Sequence, residues 1–281
     1  MIPGLPDGSV LYISVVTHPS HPMHEVNRRH LHPAPDFDVA TYAARIGPWI
    51  RRYFAPVVID GTTTPPPEDL TPYRAVMIGC SLHYFSAQRT PLVPWQEDLV
   101  RFVRRVIFET ELPFFGVCGG AALGHLALGG ELAPNVKGPG IDPETEGSII
   151  FRTTELTLTE EGIADPLFRG FPRQFGVHSI HSDYIAELAP GCRALAHSAD
   201  IPNLAIAYGD RVRLVPGGHP ELSDEYLRRS SPAFIRTGKF GTDPTKGDVM
   251  LNALSHIAPT PDANQHLLPN FLRHFCSQEA A

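Results

Sequence analysis

The chain of 281 residues reads as an α/β protein: an open, mainly parallel sheet with flanking helices and an antiparallel extension. In the first half, β-branched apolar runs alternate with helical apolar spacing, an order in which parallel strands are joined by covering helices. From Ser148 onward, short alternating strands follow one another with little helix between them, as antiparallel neighbours do. Hydrophobic residues make up 42% of the chain and charged residues 19%, enough apolar material for a sizeable core.

Leu11 to Thr17 is β-branched and predicts the first buried strand, and the His- and Pro-rich stretch His18 to Pro35 predicts a long loop. Asp36 can cap a helix running toward Ile50 and Tyr53. Val57 to Asp60 predicts the second strand, and the Thr62 to Pro67 tract cannot be regular structure. Arg74 to Cys80 predicts a third strand. Leu99, Phe102, Val103 and Val106 place one apolar face on a helix from Pro94 to Phe108. Pro113 to Cys118 is a short apolar run that breaks at Gly119-Gly120 and passes into a helix, Ala121 to Leu128. The later strands are expected at Ile149 to Leu158, Gly176 to Ile185, Arg193 to His197, Leu204 to Tyr208 and Val212 to Pro216, and helices at Asp248 to Ile257 and His266 to Phe275. No repeat or linker divides the chain, so a single domain over 1–281 is expected, with insertions at about 18–35 and 222–265.

The formal charge of −7 argues against nucleic acid as the main partner. No apolar run approaches the roughly 18 residues of a membrane span, and the first residues lack the basic start and apolar stretch of a secretory signal, so a cytoplasmic protein is the default expectation. Cys80, Cys118, Cys192 and Cys276 show no CxxC spacing and read as free thiols.

In open α/β sheets the reactive group sits at the carboxyl end of a strand, where a tight turn starts a helix. Gly116-Val117-Cys118-Gly119-Gly120 has that local grammar, with small residues that let the chain turn while the helix N-terminus aims its N–H groups at the sulfur. A buried strand-end thiol is the plainer reading of the same segment. A cysteine nucleophile needs a base, and the base an orienting partner; His219-Pro220-Glu221 supplies both after the strand Val212 to Pro216.

Three ordered segments resemble the class I glutamine amidotransferase family: Pro113 to Gly120 with Leu128-Gly129-Gly130, then His178 to Tyr184 with Ala189-Pro190-Gly191, then Gly218 to Glu221. The terminal Leu267 to Leu272 looks like the family's last helix. The resemblance implies a Cys-His-Glu triad that attacks a carboxamide and releases ammonia through a thioester. Cys118 would be nucleophile, His219 general base then acid, and Glu221 the group orienting His219. The Gly119 N–H and the turn at Cys80 and Ser81 would hold the oxyanion, and His181, Ser182 and Asp183 would line the substrate's amino-acid end. The sequence departs from the pattern at three places. Ala122 stands where glutamine-using members carry a substrate-holding Gln, Gly79-Cys80-Ser81 replaces a Gly-Gly turn, and Gly217-Gly218 replaces Gln-Phe, making the approach to His219 smaller and more flexible.

The resemblance therefore implies a cysteine amidohydrolase for a small-molecule amide, glutamine or glutamyl-type. Two alternatives stay open: a subunit passing ammonia to a separate biosynthetic enzyme, and a non-hydrolytic ligand- or metal-binding descendant. No cofactor is expected. His18, His21, His24, His30 and His32 could offer metal ligands, but no helical spacing aims the rings, and no metal is expected there. Tyr226, Arg228, Arg229, Arg236 and Lys239 could form a basic lid or a solvated extension. Cys80 should lie near Cys118, and the two could join on oxidation. Cys192 and Cys276 read as packing residues.

Overall fold

A computed structural model describes residues 8–21, 24–25, 46–134, 150–222, 258–260 and 263–276. Their strands are β1 (Ser9–Ser14), β2 (Ala55–Asp60), β3 (Tyr73–Ile78), β4 (Phe114–Val117), β5 (Ala133–Pro134), β6 (Ile150–Leu158), β7 (Gln174–His181), β8 (Asp183–Tyr184), β9 (Cys192–His197), β10 (Ala205–Tyr208) and β11 (Val212–Val215). Nine of them form one sheet in the order β2-β1-β3-β4-β11-β10-β9-β6-β7. The first five in that order are parallel, and β10, β9, β6 and β7 form the antiparallel extension. The small second sheet pairs β5 with β8.

The central strands are continuous apolar runs because both of their faces are covered. On one face Val10, Tyr12, Met77, Phe115, Val117 and Val215 pack against Ile46, Ile50 and Phe54, and against Phe271 and Leu272 of the last helix. On the other, Leu11, Ile13, Val76, Ile78, Phe114 and Leu214 meet α1 (Pro94–Glu109) and α2 (Gly119–Ala127). Helix α1 forms because Leu99, Phe102, Val103, Val106 and Ile107 recur at helical spacing on one buried face. Its Pro94 start costs no hydrogen bond, and Gln96 closes the first turn by accepting from the Val93 N–H. Each fully buried aliphatic side chain there contributes about 1.5–3 kcal/mol on leaving water.

Several elements differ from the sequence reading. Helix α3 (Glu160–Ala164) and the 3₁₀ turn Pro166–Phe168 were not expected, since five residues carry no apolar periodicity; their signal was the caps. Thr159 Oγ1 accepts from Gly162 N–H at 3.0 Å, and Asp165 Oδ1 from Leu167 N–H at 3.0 Å. The strand expected through Ile185 stops at His181, because Asp183 is drawn away by the loop after β3. The last helix opens as a π turn, Ala263–Leu267, before α4 (Leu268–Phe275), whose Pro269 lacks the N–H a regular turn would use. His24 and Glu25 are helical within the stretch expected as loop. The start of the helix capped by Asp36, the Asp248 to Ile257 helix, His30, His32 and all five lid residues lie outside the described residues.

Candidate active site

Strands β3, β4 and β11 are parallel neighbours, so their carboxyl ends deliver the segment after Ile78, the turn at Cys118 and the segment reaching Glu221 to one edge of the sheet. Cys118 sits at φ 50° and ψ −107°, the one non-glycine with positive φ among the described residues. Both neighbouring strands hold this turn: Cys118 N–H donates to Val215 O at 2.9 Å, and Gly120 N–H to Gly79 O at 2.8 Å. Glycine is required beside it. A Cβ on Gly120 would lie 2.1 Å from Ile78 O, and one on Gly119 would lie 2.8 Å from Ser81 N. The turn at Cys80 and Ser81 is thereby packed directly against the N-terminus of α2.

A left-handed non-glycine residue costs of order 1 kcal/mol, so Cys118→Gly should be more stable than Cys118→Ala by about 1 kcal/mol, read from urea midpoints.

His219 is fixed by three bonds. Its backbone N–H donates to His178 O at 2.8 Å, although β7 lies four strands from β11 in the sheet order. Its Nδ1 lies 2.8 Å from Glu221 Oε1, and its Nε2 lies 3.0 Å from Ile180 O. The two side chains are 3% and 1% exposed. A carboxylate and a carbonyl can only accept, so both ring nitrogens carry hydrogen and the imidazole is held as its cation. Burial opposes that charge; attraction to Glu221 and to Cys118, with side-chain hydrogen bonds to both, outweighs it and raises the His219 pKa well above 6.5. Cys118 Sγ lies 3.7 Å from the same Ile180 carbonyl, so thiol and imidazole converge on one oxygen. This arrangement can hold a proton between sulfur and Nε2 while Glu221 fixes the ring, which is the geometry of an activated thiol nucleophile.

The other expected site residues fall as follows. His181 Nδ1 lies 3.1 Å from Asp183 O, and a Cβ on Gly217 would meet the His181 ring at 3.2 Å and Leu204 at 2.3 Å. Gly217 and Gly218 are both buried, so the approach to His219 is tightly packed where flexibility was expected. Asp183 turns its carboxylate to Phe85 N–H at 2.9 Å, Ser86 N–H at 3.1 Å and Arg89 Nε at 2.9 Å, while Arg89 also donates to Ser182 O. These bonds fasten the loop after β3 to the end of β7. Ala122 is nearly buried on α2, its N–H donating to Cys118 O at 2.9 Å. Sequence reasoning missed the Ile180 carbonyl and the Arg89 anchor, for which a backbone oxygen and a lone arginine give no signal. Cys80 is not disulfide-bonded. Burial pushes the Cys192 thiol up to about 11 and the Cys276 thiol higher still, in keeping with packing roles.

Residues 92–206 match the Peptidase C26 family model, a span that includes Cys118 and ends before His219. A GMP synthase [glutamine-hydrolyzing] of Agathobacter rectalis is 32% identical over 119 residues, 42% of this chain and 20% of the relative. The gamma-glutamyl-L-1-hydroxyisopropylamide hydrolase of a Pseudomonas species is 29% identical over 192 residues, 66% of this chain and 58% of the relative. The chain thus spans from a fifth to under two thirds of the length of these curated relatives. Among solved structures, a glutamine amidotransferase from Thermotoga maritima matches with a TM-score of 0.62 and 16% identity, covering 95% of this chain and 96% of the other.

Proposed function

We propose, on the premise that this chain belongs to the class I glutamine amidotransferase-like family, that it is a cysteine amidohydrolase cleaving glutamine or a glutamyl-type amide. The observation that carries the reading is the meeting of Cys118 Sγ and the Glu221-backed imidazole of His219 at the Ile180 carbonyl. The Cys118 proton rests on His219 as part of a thiolate–imidazolium pair, and the thiolate adds to the amide carbon. The oxyanion is held by the Gly119 N–H and a backbone N–H of the Cys80-Ser81 turn. The imidazolium then gives its proton to the leaving nitrogen, so ammonia or an amine departs and a thioester remains. Water, deprotonated by His219, opens the thioester to a carboxylic acid and restores the thiol.

Two features favour a substituted glutamyl amide over free glutamine. Ala122 offers no side-chain hydrogen bond where the resembling pattern has Gln. A cavity of about 640 Å³ is lined by His18, Ser20, His21, His83, Val93, Pro94, Trp95 and Asp98. His83 N–H donates to Ser81 Oγ at 3.2 Å, and its ring stacks edge-on with His21 and Trp95 at 4.5 and 5.0 Å. Such rings suit the amine half of the substrate. The gamma-glutamyl amide hydrolase among the relatives supports this reading. The GMP synthase relative, of which the aligned stretch covers 20%, supports a second: delivery of ammonia to a synthetase partner. No described helix is long and apolar enough to cross a membrane.

The test is release of ammonia or amine from L-glutamine, γ-glutamyl-ethylamide and γ-glutamyl-p-nitroanilide. Faster release from the substituted amides supports the first reading; release from glutamine alone, stimulated by a synthetase, supports the second; release from none contradicts both. In the active form, His219 must be protonated to serve the leaving group, so kcat/KM should hold above pH 6.5, the ordinary imidazole value, and fall as pH rises through its elevated pKa. Glu221→Gln removes the main attraction that raises it, and the alkaline limb should move down toward 6.5.

A further inference from the structure

One more side chain reaches the imidazole. Cys80 lies two residues beyond β3 and is 5% exposed. Its Sγ, one ring nitrogen of His219 and one carboxylate oxygen of Glu221 all lie within 4.8 Å of one another, the one such cluster of metal-ligating side chains among the described residues. Glu221 Oε1 is taken by the His219 ring, whereas Oε2 is buried and has no hydrogen-bond partner among the described residues. A buried carboxylate oxygen in that condition is costly, and a cation would relieve it. Sulfur, imidazole nitrogen and carboxylate oxygen together are the donor set of a borderline-soft divalent ion, not of Mg²⁺ or Ca²⁺, which take oxygen.

We propose that Cys80, His219 and Glu221 form an inhibitory site for Zn²⁺-class divalent cations. Metal–ligand bonds of about 2.0–2.3 Å put the ligands of a tetrahedral ion about 3.3–3.8 Å apart, so the three donors need to close by no more than about 1.5 Å, within reach of side-chain rotation. Coordination replaces the Cys80 S–H bond by a sulfur–metal bond, and the ring nitrogen that binds gives up its hydrogen; both protons go to solvent. The ion then occupies the imidazole that holds the Cys118 proton and would deliver it to the leaving nitrogen, and hydrolysis stops until the ion is removed. Cys80 supplies a donor where the resembling pattern has a glycine, so the site belongs to this chain's own sequence. Metal binding stands on the donors alone; its inhibitory consequence rests on the amidohydrolase reading.

The experiment is a Co²⁺ titration of the dialysed, reduced full chain, followed by absorbance. The expected result is saturation at one equivalent with thiolate-to-Co²⁺ charge-transfer absorption and displacement by Zn²⁺. Cys118→Ser should keep the band. Cys80→Ser and Cys80→Ala, with fold checked by circular dichroism, should lose it and bind Co²⁺ at least about 10-fold more weakly. Binding without the band, loss of the band in Cys118→Ser, or a band that survives both Cys80 variants overturns the site. Amide hydrolysis is measured alongside: an inactive protein with the band sinks the amidohydrolase reading and leaves the site standing, and an active protein without it does the reverse. Zn²⁺ should inhibit over the same concentration range as it displaces Co²⁺, with recovery on chelation; full activity with the site loaded overturns the inhibitory role.

Discussion

Cys118→Ala should lower kcat for amide hydrolysis by at least about four orders of magnitude, the scale seen when a catalytic nucleophile is removed. The substitution deletes one sulfur and leaves the turn intact, since the backbone bonds to Val215 and from Ala122 do not involve it. His219 keeps Glu221 and the Ile180 carbonyl, so the ring stays in place with nothing to deprotonate. Substrate affinity should change far less than kcat, a split that separates a lost nucleophile from a collapsed site. A rate within about tenfold of wild type would mean that the chemistry runs through another group.

Asp165→Ala should cost about 3–5 kcal/mol of stability, measured by denaturant unfolding, because it leaves a buried charge without its partner. Arg213 on β11 meets Asp165 through two bonds, Nε to Oδ1 at 3.0 Å and a terminal nitrogen to Oδ2 at 2.7 Å, with the side chains 4% and 5% exposed. The guanidinium also lies 4.6 Å from the centre of the Phe275 ring, so it joins β11, the 3₁₀ turn and α4. Asp165 Oδ1 caps that turn as well. The exposed pair Arg173–Glu160 is the control: Glu160→Ala should stay within about 0.5 kcal/mol of wild type. Since β11 leads directly into His219, loss of the buried pair should also lower activity in the fraction that remains folded.

The central strands and the turn at Cys118 were legible because both follow from local rules. Strands covered on both faces must be apolar throughout, and Gly116, Gly119 and Gly120 around Cys118 mark a tight strand-to-helix turn. The antiparallel extension was legible from its alternation, whereas its return to His219 was not: His178 and Ile180 act through backbone carbonyls, which every residue possesses. The Asp183 anchor likewise depends on Arg89, 94 positions away in the chain. The approach of Cys80 to His219 and Glu221 follows from the strand order, which periodicity does not specify. Helix α3 was too short for a periodic signal and was readable only from Thr159 and Asp165 as caps.

Intact-protein mass spectrometry after exposure to 6-diazo-5-oxo-L-norleucine tests the central claim most directly, because this glutamine analogue alkylates a thiol only where the thiol is activated and the glutamyl part is seated. A single adduct that maps to Cys118, absent from Cys118→Ala and slowed in Glu221→Gln, is the result expected. Labelling of Cys118 by a general thiol reagent with no adduct from the glutamine analogue would contradict a glutamyl amide as substrate.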